Sequence, residues 1–177
     1  MNDAPTAFTI RATRPGDLAA YRDLRLEALR LHPEAFGADY ETCRAWPDSE
    51  WEKRVKRGAG AASSITFVAE APDDALAGMT GVFRGDGSKA QHGGLIWGVY
   101  VREAWRGRGV ADALLGACLG WAREHGLRWV KLAVVTTNAS AIRLYARSGF
   151  SVYGVEPEVI FADGVYHDEL LMVRRLP

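Results

Sequence analysis

Three runs decide the fold: Leu95-Ile96-Trp97-Gly98-Val99-Tyr100-Val101, then Val110-Ala111-Asp112-Ala113-Leu114-Leu115-Gly116-Ala117-Cys118-Leu119-Gly120-Trp121-Ala122, then Trp129-Val130-Lys131-Leu132-Ala133-Val134-Val135. In the middle run Val110, Ala113, Leu114, Ala117, Cys118, Trp121 and Ala122 recur at the i, i+3, i+4, i+7 spacing of one helix face, and Gly126 ends the helix. The flanking runs are apolar and read as strands, the second rich in β-branched residues, so the three form a strand-helix-strand unit whose strands lie parallel.

Downstream, Asn138 caps a short helix to Ser148 and Gly149 stops it. Phe150 to Phe161 and Val165 to Val173 read as strands joined at Asp163-Gly164, a two-residue hairpin signal. Upstream, Phe8 to Arg11 is a short strand, and Asp17 is expected to cap a helix to about Leu31 with Leu18, Tyr21, Leu24, Ala28 and Leu31 on one side. A second helix starts at Asp48 or Ser49, contains Trp51 and Val55 and ends before Gly58. Strands over Ile65 to Glu70 and Leu76 to Phe83 follow, with loops at Gly58 to Ser64 and Arg84 to Gly94, the latter expected to be mobile. Consecutive strands beside one parallel crossover predict a mixed central sheet of about seven strands in the α/β (α+β) class.

The chain of 177 residues, 48% hydrophobic and 25% charged, reads as a single domain over 1–177. A domain of this size hides roughly 70% of its unfolded surface and needs no staples. Lys plus Arg and Asp plus Glu both number 22, which argues against a nucleic-acid or membrane partner. Met1 to Ile10 has no signal-peptide pattern, and Val110 to Ala122 is too short to span a bilayer and is broken by Asp112. A soluble, cytoplasmic, reduced protein is expected, with Cys43 and Cys118 as small buried hydrophobes. No His or Cys pair has metal-ligand spacing, so no metal site is expected.

Chemistry concentrates at Arg106-Gly107-Arg108-Gly109-Val110-Ala111, where a glycine-rich turn feeds a helix N-terminus. Backbone N–H groups converge there, the helix dipole adds partial positive charge, and Arg106 and Arg108 supply a cationic patch, so the segment is an anion site. A dinucleotide fingerprint lacks its third glycine, because position 112 is Asp112. None of Lys53, Lys56, Lys89 and Lys131 follows a glycine, which excludes a phosphate loop of the nucleotide-triphosphatase kind.

Val99-Tyr100-Val101 followed by Arg106, Gly107, Gly109 and Ala111, in the spacing Arg-x-x-Gly-x-Ala, resembles the acetyl-CoA signature of the GCN5-related N-acetyltransferase superfamily. A second block, Asn138 to Phe150 with Tyr145 and Gly149, is similar to that family's downstream motif. The resemblance spans roughly residues 8 to 175 and implies an acyl-CoA N-acyltransferase-like fold that transfers acetyl from acetyl-CoA directly to a primary amine of a small molecule or amino acid. It also implies cofactor roles: backbone groups of Val99 to Val101 for the pantetheine arm, the amides from Gly107 through Arg108, Gly109 and Val110 to Ala111 for the pyrophosphate, and Asn138 for the arm. Tyr145 is implied as the general acid that protonates the leaving thiolate and as part of the cofactor site.

Many family members carry a glutamate on the strand matching Leu95 to Val101, and this strand has no acid. The general base is therefore open among His92, His167, Asp168, Glu169, Glu70 and ordered water. The family's acceptor region corresponds here to Pro33 to Trp51, with Phe36, Tyr40, Trp46 and Trp51, and to Val155 to His167, with Phe161 and Tyr166. Glu34, Asp39 and Glu41 would serve a polycationic acceptor if they converged. Two other readings stay open, a protein or peptide N-acetyltransferase and a non-catalytic CoA-binding sensor, and a homodimer is open as an assembly.

Overall fold

In the computed structural model, which describes residues 7–56, 62–73 and 75–177, one sheet contains β1 (Thr9–Ala12), β2 (Ser64–Glu70), β3 (Leu76–Arg84), β4 (Gly93–Val101), β5 (Trp129–Val135), β6 (Ser151–Ala162) and β7 (Val165–Arg175). Their order is β1-β2-β3-β4-β5-β7-β6, and only β4 and β5 pair in parallel. On one face α1 (Leu18–Leu31), α2 (Tyr40–Arg44) and α3 (Asp48–Lys56) bury Tyr21, Leu24, Cys43, Trp51 and Val55 against Val68, Met79 and Tyr100. On the other, α4 (Val110–Glu124) and α5 (Ala139–Arg147) bury Leu115, Cys118, Trp121, Leu144 and Tyr145 against Val82, Ile96, Val130 and Leu132.

Every expected strand and helix is present, and several local readings change. Asp17 precedes α1 but its carboxylate makes no cap bond into the helix. It accepts instead from Arg11 Nη1 and Nη2, at 2.6 and 2.8 Å, and from the Arg14 amide, at 2.8 Å. Burial works against its charge, but these hydrogen bonds hold the carboxyl below its ordinary range. Leu31, expected on the apolar stripe, is 54% exposed because the helix ends there, beyond the layer it covers. The short α2 had no periodic signal, being a single turn held by Asp39, whose side chain accepts from the Thr42 amide at 2.7 Å. Most of the Gly58 to Ser64 loop lies outside the described residues, while the β3–β4 loop closes on itself through Gly85 N–H to Gly93 C=O, at 2.9 Å, and Gly93 N–H to Ala90 C=O, at 3.1 Å.

Asp163 and Gly164 both have positive φ, 51° and 80°, as a type I′ hairpin turn requires. The buried stripe of α4 is wider than the expected face: Leu115 and Leu119 go in, while Ala113 and Ala117 sit at its edge. A helix laid on a sheet sinks its largest apolar side chains, each worth about 1.5–3 kcal/mol when fully buried, and leaves alanines at the margin.

The decisive feature is where β4 and β5 stop pairing. Parallel pairing covers only Gly93↔Trp129, Gly94↔Val130 and Leu95↔Lys131. Trp129 lies so close over Gly93 that a Cβ there would sit 2.1 Å from the indole ring, which pins this end. Further along, β4 bulges: Met79 faces Tyr100 and Gly81 faces Trp97, so Thr80 alone opposes Gly98 and Val99. Gly98 takes φ +66°, a left-handed conformation that favours glycine, and Thr80 Oγ1 donates to Trp97 C=O at 3.2 Å. β5 meanwhile stays paired with β7 as far as Val135↔Glu169. The two parallel strands therefore part beyond Leu95 and Lys131.

Candidate active site

The parting leaves a slot of about 120 Å³ through the sheet, lined by Ile96 to Val99 of β4, Leu132 to Val135 of β5, Phe36 before α2, and Tyr145 of α5. It adjoins a cavity of about 550 Å³ that shares Val99, Val135, Asn138 and Leu144 with it and runs to the N-terminus of α4. Val99, Tyr100, Val101, Arg106, Gly107, Gly109, Val110, Ala111 and Asn138 all line this larger cavity, so the two sequence motifs, about 30 residues apart, meet in one place. Beyond Leu95 the β5-facing edge of β4 has no strand partner among the described residues.

At the cavity's far end Gly107 and Gly109 have φ +73° and +81°. A Cβ at either would meet nothing within 4 Å, so backbone conformation, not crowding, requires glycine. Gly109 sits at the N-cap of α4 with no side-chain cap, leaving the first-turn amides open toward the cavity under the positive end of the dipole. The arginines depart from expectation. Arg106 lines the cavity, but its Nε donates to Val101 C=O and its Nη2 to His32 Nε2, both at 3.0 Å. Arginine has no acceptor, so His32 Nε2 offers its lone pair there and the ring proton sits on Nδ1, toward Glu34. Arg108 does not line the cavity, and its guanidinium lies over the Trp105 ring at 5.3 Å. Asp112 receives both Arg147 Nε and Nη2, at 3.0 and 2.8 Å, which neutralises a carboxylate at this end of the cavity. The first-turn backbone amides of α4 thus face this end of the cavity.

Asn138 caps α5, its Oδ1 accepting from the Ala141 amide at 3.1 Å, while also lining both cavities. Tyr145 is 6% exposed and packs edge-on against Phe150 at 6.1 Å. Its hydroxyl has no hydrogen-bond partner among the described residues, and burial pushes the phenol well above its ordinary pKa. The phenol therefore keeps its proton at neutral pH beside the slot. The Tyr100 hydroxyl is engaged elsewhere: it donates to Glu27 Oε1 at 2.9 Å, and burial with that bond pushes its pKa to about 12. Cys43 and Cys118 are free and buried, and burial pushes the Cys118 thiol up to about 12, out of nucleophilic range.

None of the named base candidates lines either cavity. His92 precedes β4 at its paired end, roughly 20 Å along the strand from Val99, with its ring against Trp129 at 5.8 Å. Glu70 accepts from Arg11 and Arg14, at 2.5 and 3.0 Å, as part of the Asp17 network. His167 is half-buried and paired with Ile160, and Asp168 accepts from the Glu158 amide at 2.8 Å. Glu169 comes nearest, opposite Val135 on β5 and Glu156 on β6, and burial followed by Glu156 pushes its carboxyl up. Of the acceptor-region aromatics only Phe36 reaches the cavities; Tyr40, Trp46 and Trp51 pack with α1 and α3, while Phe161 and Tyr166 lie exposed on the hairpin. Glu34, 3.7 Å from His32 Nδ1, lines the larger cavity, but Asp39 caps α2 and Glu41 holds Arg44, so the three do not converge. His32, Trp105, Thr137 and Arg147 line the larger cavity without any signal in the sequence, because their places depend on how α1, α4 and α5 end.

A mixed sheet parted between parallel strands, with an uncapped helix N-terminus at the end of the gap, thus presents an unpaired strand edge and a set of backbone amides to one cavity. The chain belongs to the acetyltransferase (GNAT) family, whose family model matches residues 25–150. It is 30% identical over 148 residues to an L-methionine sulfoximine/L-methionine sulfone acetyltransferase of Pseudomonas aeruginosa, covering 84% of this chain and 80% of that one. It is 31% identical over 128 residues to an aminoglycoside N(6')-acetyltransferase type 1 of Stenotrophomonas maltophilia, covering 70% and 72%. The solved structure of a GCN5-related N-acetyltransferase from Kribbella flavida superposes with a TM-score of 0.83 at 27% identity over 98% of this chain and 100% of that one. The protein is thus an acetyl-CoA-dependent N-acetyltransferase. Its residues fit that donor: open first-turn amides on α4 suit the pyrophosphate, and the unpaired edge of β4 suits an amide-bearing arm. Among the described residues no helix is long and apolar enough to cross a membrane.

Proposed function

We propose that this cytoplasmic, single-domain enzyme acetylates the primary amine of a small molecule or amino acid, the acceptor entering the slot from the side of Phe36. The observation that carries this reading is the slot itself, which joins the cavity at Val99 with Tyr145 on its wall. Its size suits a small acceptor, since a peptide needs an open groove. The β3–β4 loop, which a peptide-binding reading would use, joins β4 at its paired end, away from the slot.

Bound acetyl-CoA supplies the activated acetyl group. The amides from Gly107 to Ala111 hold the pyrophosphate, the Val99 to Val101 backbone and Asn138 orient the arm, and backbone N–H groups of β4 stabilise the developing oxyanion. Tyr145 delivers its proton to the departing sulfur as general acid. The slot is lined by no carboxylate or imidazole, and those of the adjoining cavity are engaged elsewhere, His32 by Arg106, Glu34 by His32 and Asp112 by Arg147, so the amine loses its proton to water. A second copy of the chain covers the exposed Val152, Val155, Phe161 and Tyr166 of the β6–β7 hairpin; a solution mass of one chain would remove that assembly.

Thiol release from acetyl-CoA over amino acids, polyamines, aminoglycosides and short peptides tests the activity. The reading predicts amine-dependent release with small monoamines. Release confined to peptides would overturn the small-acceptor reading, and none with any amine, despite CoA binding, would make the protein a sensor.

A further inference from the structure

Among the described residues, one half-buried arginine has neither a carboxylate nor a backbone carbonyl to donate to. Arg11, Arg22, Arg54, Arg84, Arg102 and Arg174 are also at least half-buried, and each donates to a carboxylate or a backbone carbonyl. Arg25, on α1, does not. Its Nη1 is shut off from water without a hydrogen-bond partner, and no carboxylate among the described residues pairs with it. The guanidinium lies over the Phe36 ring at 4.8 Å and within 6.0 Å of the Trp97 ring. Those faces attract the cation but accept none of its in-plane N–H donors. Burial presses against its charge, yet a guanidinium does not shed its proton, so the donors await an acceptor.

Its position indicates what that acceptor is. Phe36, Trp97 and Gly98 all line the slot, and a Cβ built on Gly98 would stand 3.5 Å from Arg25 Nη1. Arg25 itself lines neither cavity; it stands directly behind Phe36, Trp97 and Gly98 of the slot wall, on the α1 side, whereas Tyr145 lines the slot from the α5 layer and the open amides of α4 lie at the far end of the adjoining cavity. The cofactor's phosphates have their own seat, so the free guanidinium serves the other substrate. We propose that Arg25 binds the carboxylate of the acceptor, making the preferred substrate an α-amino acid whose amine is thereby presented to the slot. A planar carboxylate matches the fork of N–H donors. This rests on the acetyltransferase reading and sharpens its substrate class.

The test compares L-methionine sulfone and L-leucine with their decarboxylated amines, 3-(methylsulfonyl)propylamine and 3-methylbutylamine, in wild type and in Arg25→Gln and Arg25→Lys. Wild type should show kcat/KM about 100-fold higher for each acid than for its amine, carried by KM. In Arg25→Gln that preference collapses toward unity, and Arg25→Lys restores part of it. Calorimetry with N-acetyl-L-leucine should show binding to wild type and its loss in Arg25→Gln. Thermal unfolding of the unliganded variant should not fall, because an unpaired buried charge has been removed; a marked fall would make Arg25 structural. Equal use of acids and amines by wild type, or an acid preference retained in Arg25→Gln, overturns the proposal while leaving the acetyltransferase reading intact. No transfer to any amine overturns that reading instead, and calorimetry then decides Arg25 independently.

Discussion

Tyr145→Phe separates chemistry from packing better than any other single change. The ring is 6% exposed and held edge-on to Phe150, so the substitution keeps every ring contact and removes one oxygen. That oxygen has no hydrogen-bond partner among the described residues, so folding loses nothing and stability should hold or rise by up to about 1 kcal/mol. For a domain of this length that is roughly 2–4 °C in melting temperature. Tyr145→Ala, by contrast, empties a core site and should cost about 3–5 kcal/mol. Catalysis should respond in the opposite order of expectation from stability: losing the proton donor lowers kcat by about 100-fold or more, with acetyl-CoA affinity unchanged. The assay is steady-state thiol release alongside calorimetric CoA titration and thermal unfolding. Full turnover by the Phe variant would refute the general-acid reasoning and leave Tyr145 as a packing residue.

Two further outcomes follow from the same geometry. Gly109→Ala should weaken CoA binding modestly, because an L-residue at φ +81° costs about 1–2 kcal/mol, whereas Gly109→Glu should weaken it far more by placing a carboxylate at the amide cradle; equal affinities for the two variants would move the pyrophosphate elsewhere. With water as the base, log kcat/KM should climb with unit slope to the acceptor amine's own pKa and shift when amines of different basicity are compared. It should show no descending limb below pH 10, because Tyr145 is protonated and active below its raised pKa and loses its proton only above it. A plateau at a pH independent of the amine would instead assign Glu169, whose carboxyl is pushed up by burial and by Glu156.

The strand-helix-strand unit was legible because its period changes from continuous apolar runs to a helical spacing, and β5 begins and ends where the composition does. The anion site was legible for a related reason: glycines at 107 and 109 mark backbone conformations that other residues avoid. The slot was not, because it depends on where pairing ceases, and that is set by Trp129 over Gly93 and by the bulge at Gly98 opposite Thr80. Likewise Asp17 looked like a helix cap because its partner, Arg11, arrives from β1, and Arg106 looked like a free cation because His32 arrives from the end of α1. Arg25 gave no signal at all: next to Leu24 on an amphipathic helix it reads as the polar side, and only the approach of Phe36 and Trp97 buries it.

The most direct test of acetyl transfer in the slot uses isotopically labelled acetyl-CoA with and without a small amine, following both the product and the intact protein by mass spectrometry. Direct transfer predicts label on the amine alone, no acetylated protein at any time, and no thioester loss without amine. Label on the protein, most tellingly on Cys43 or Cys118, or thioester loss independent of amine, would contradict the account.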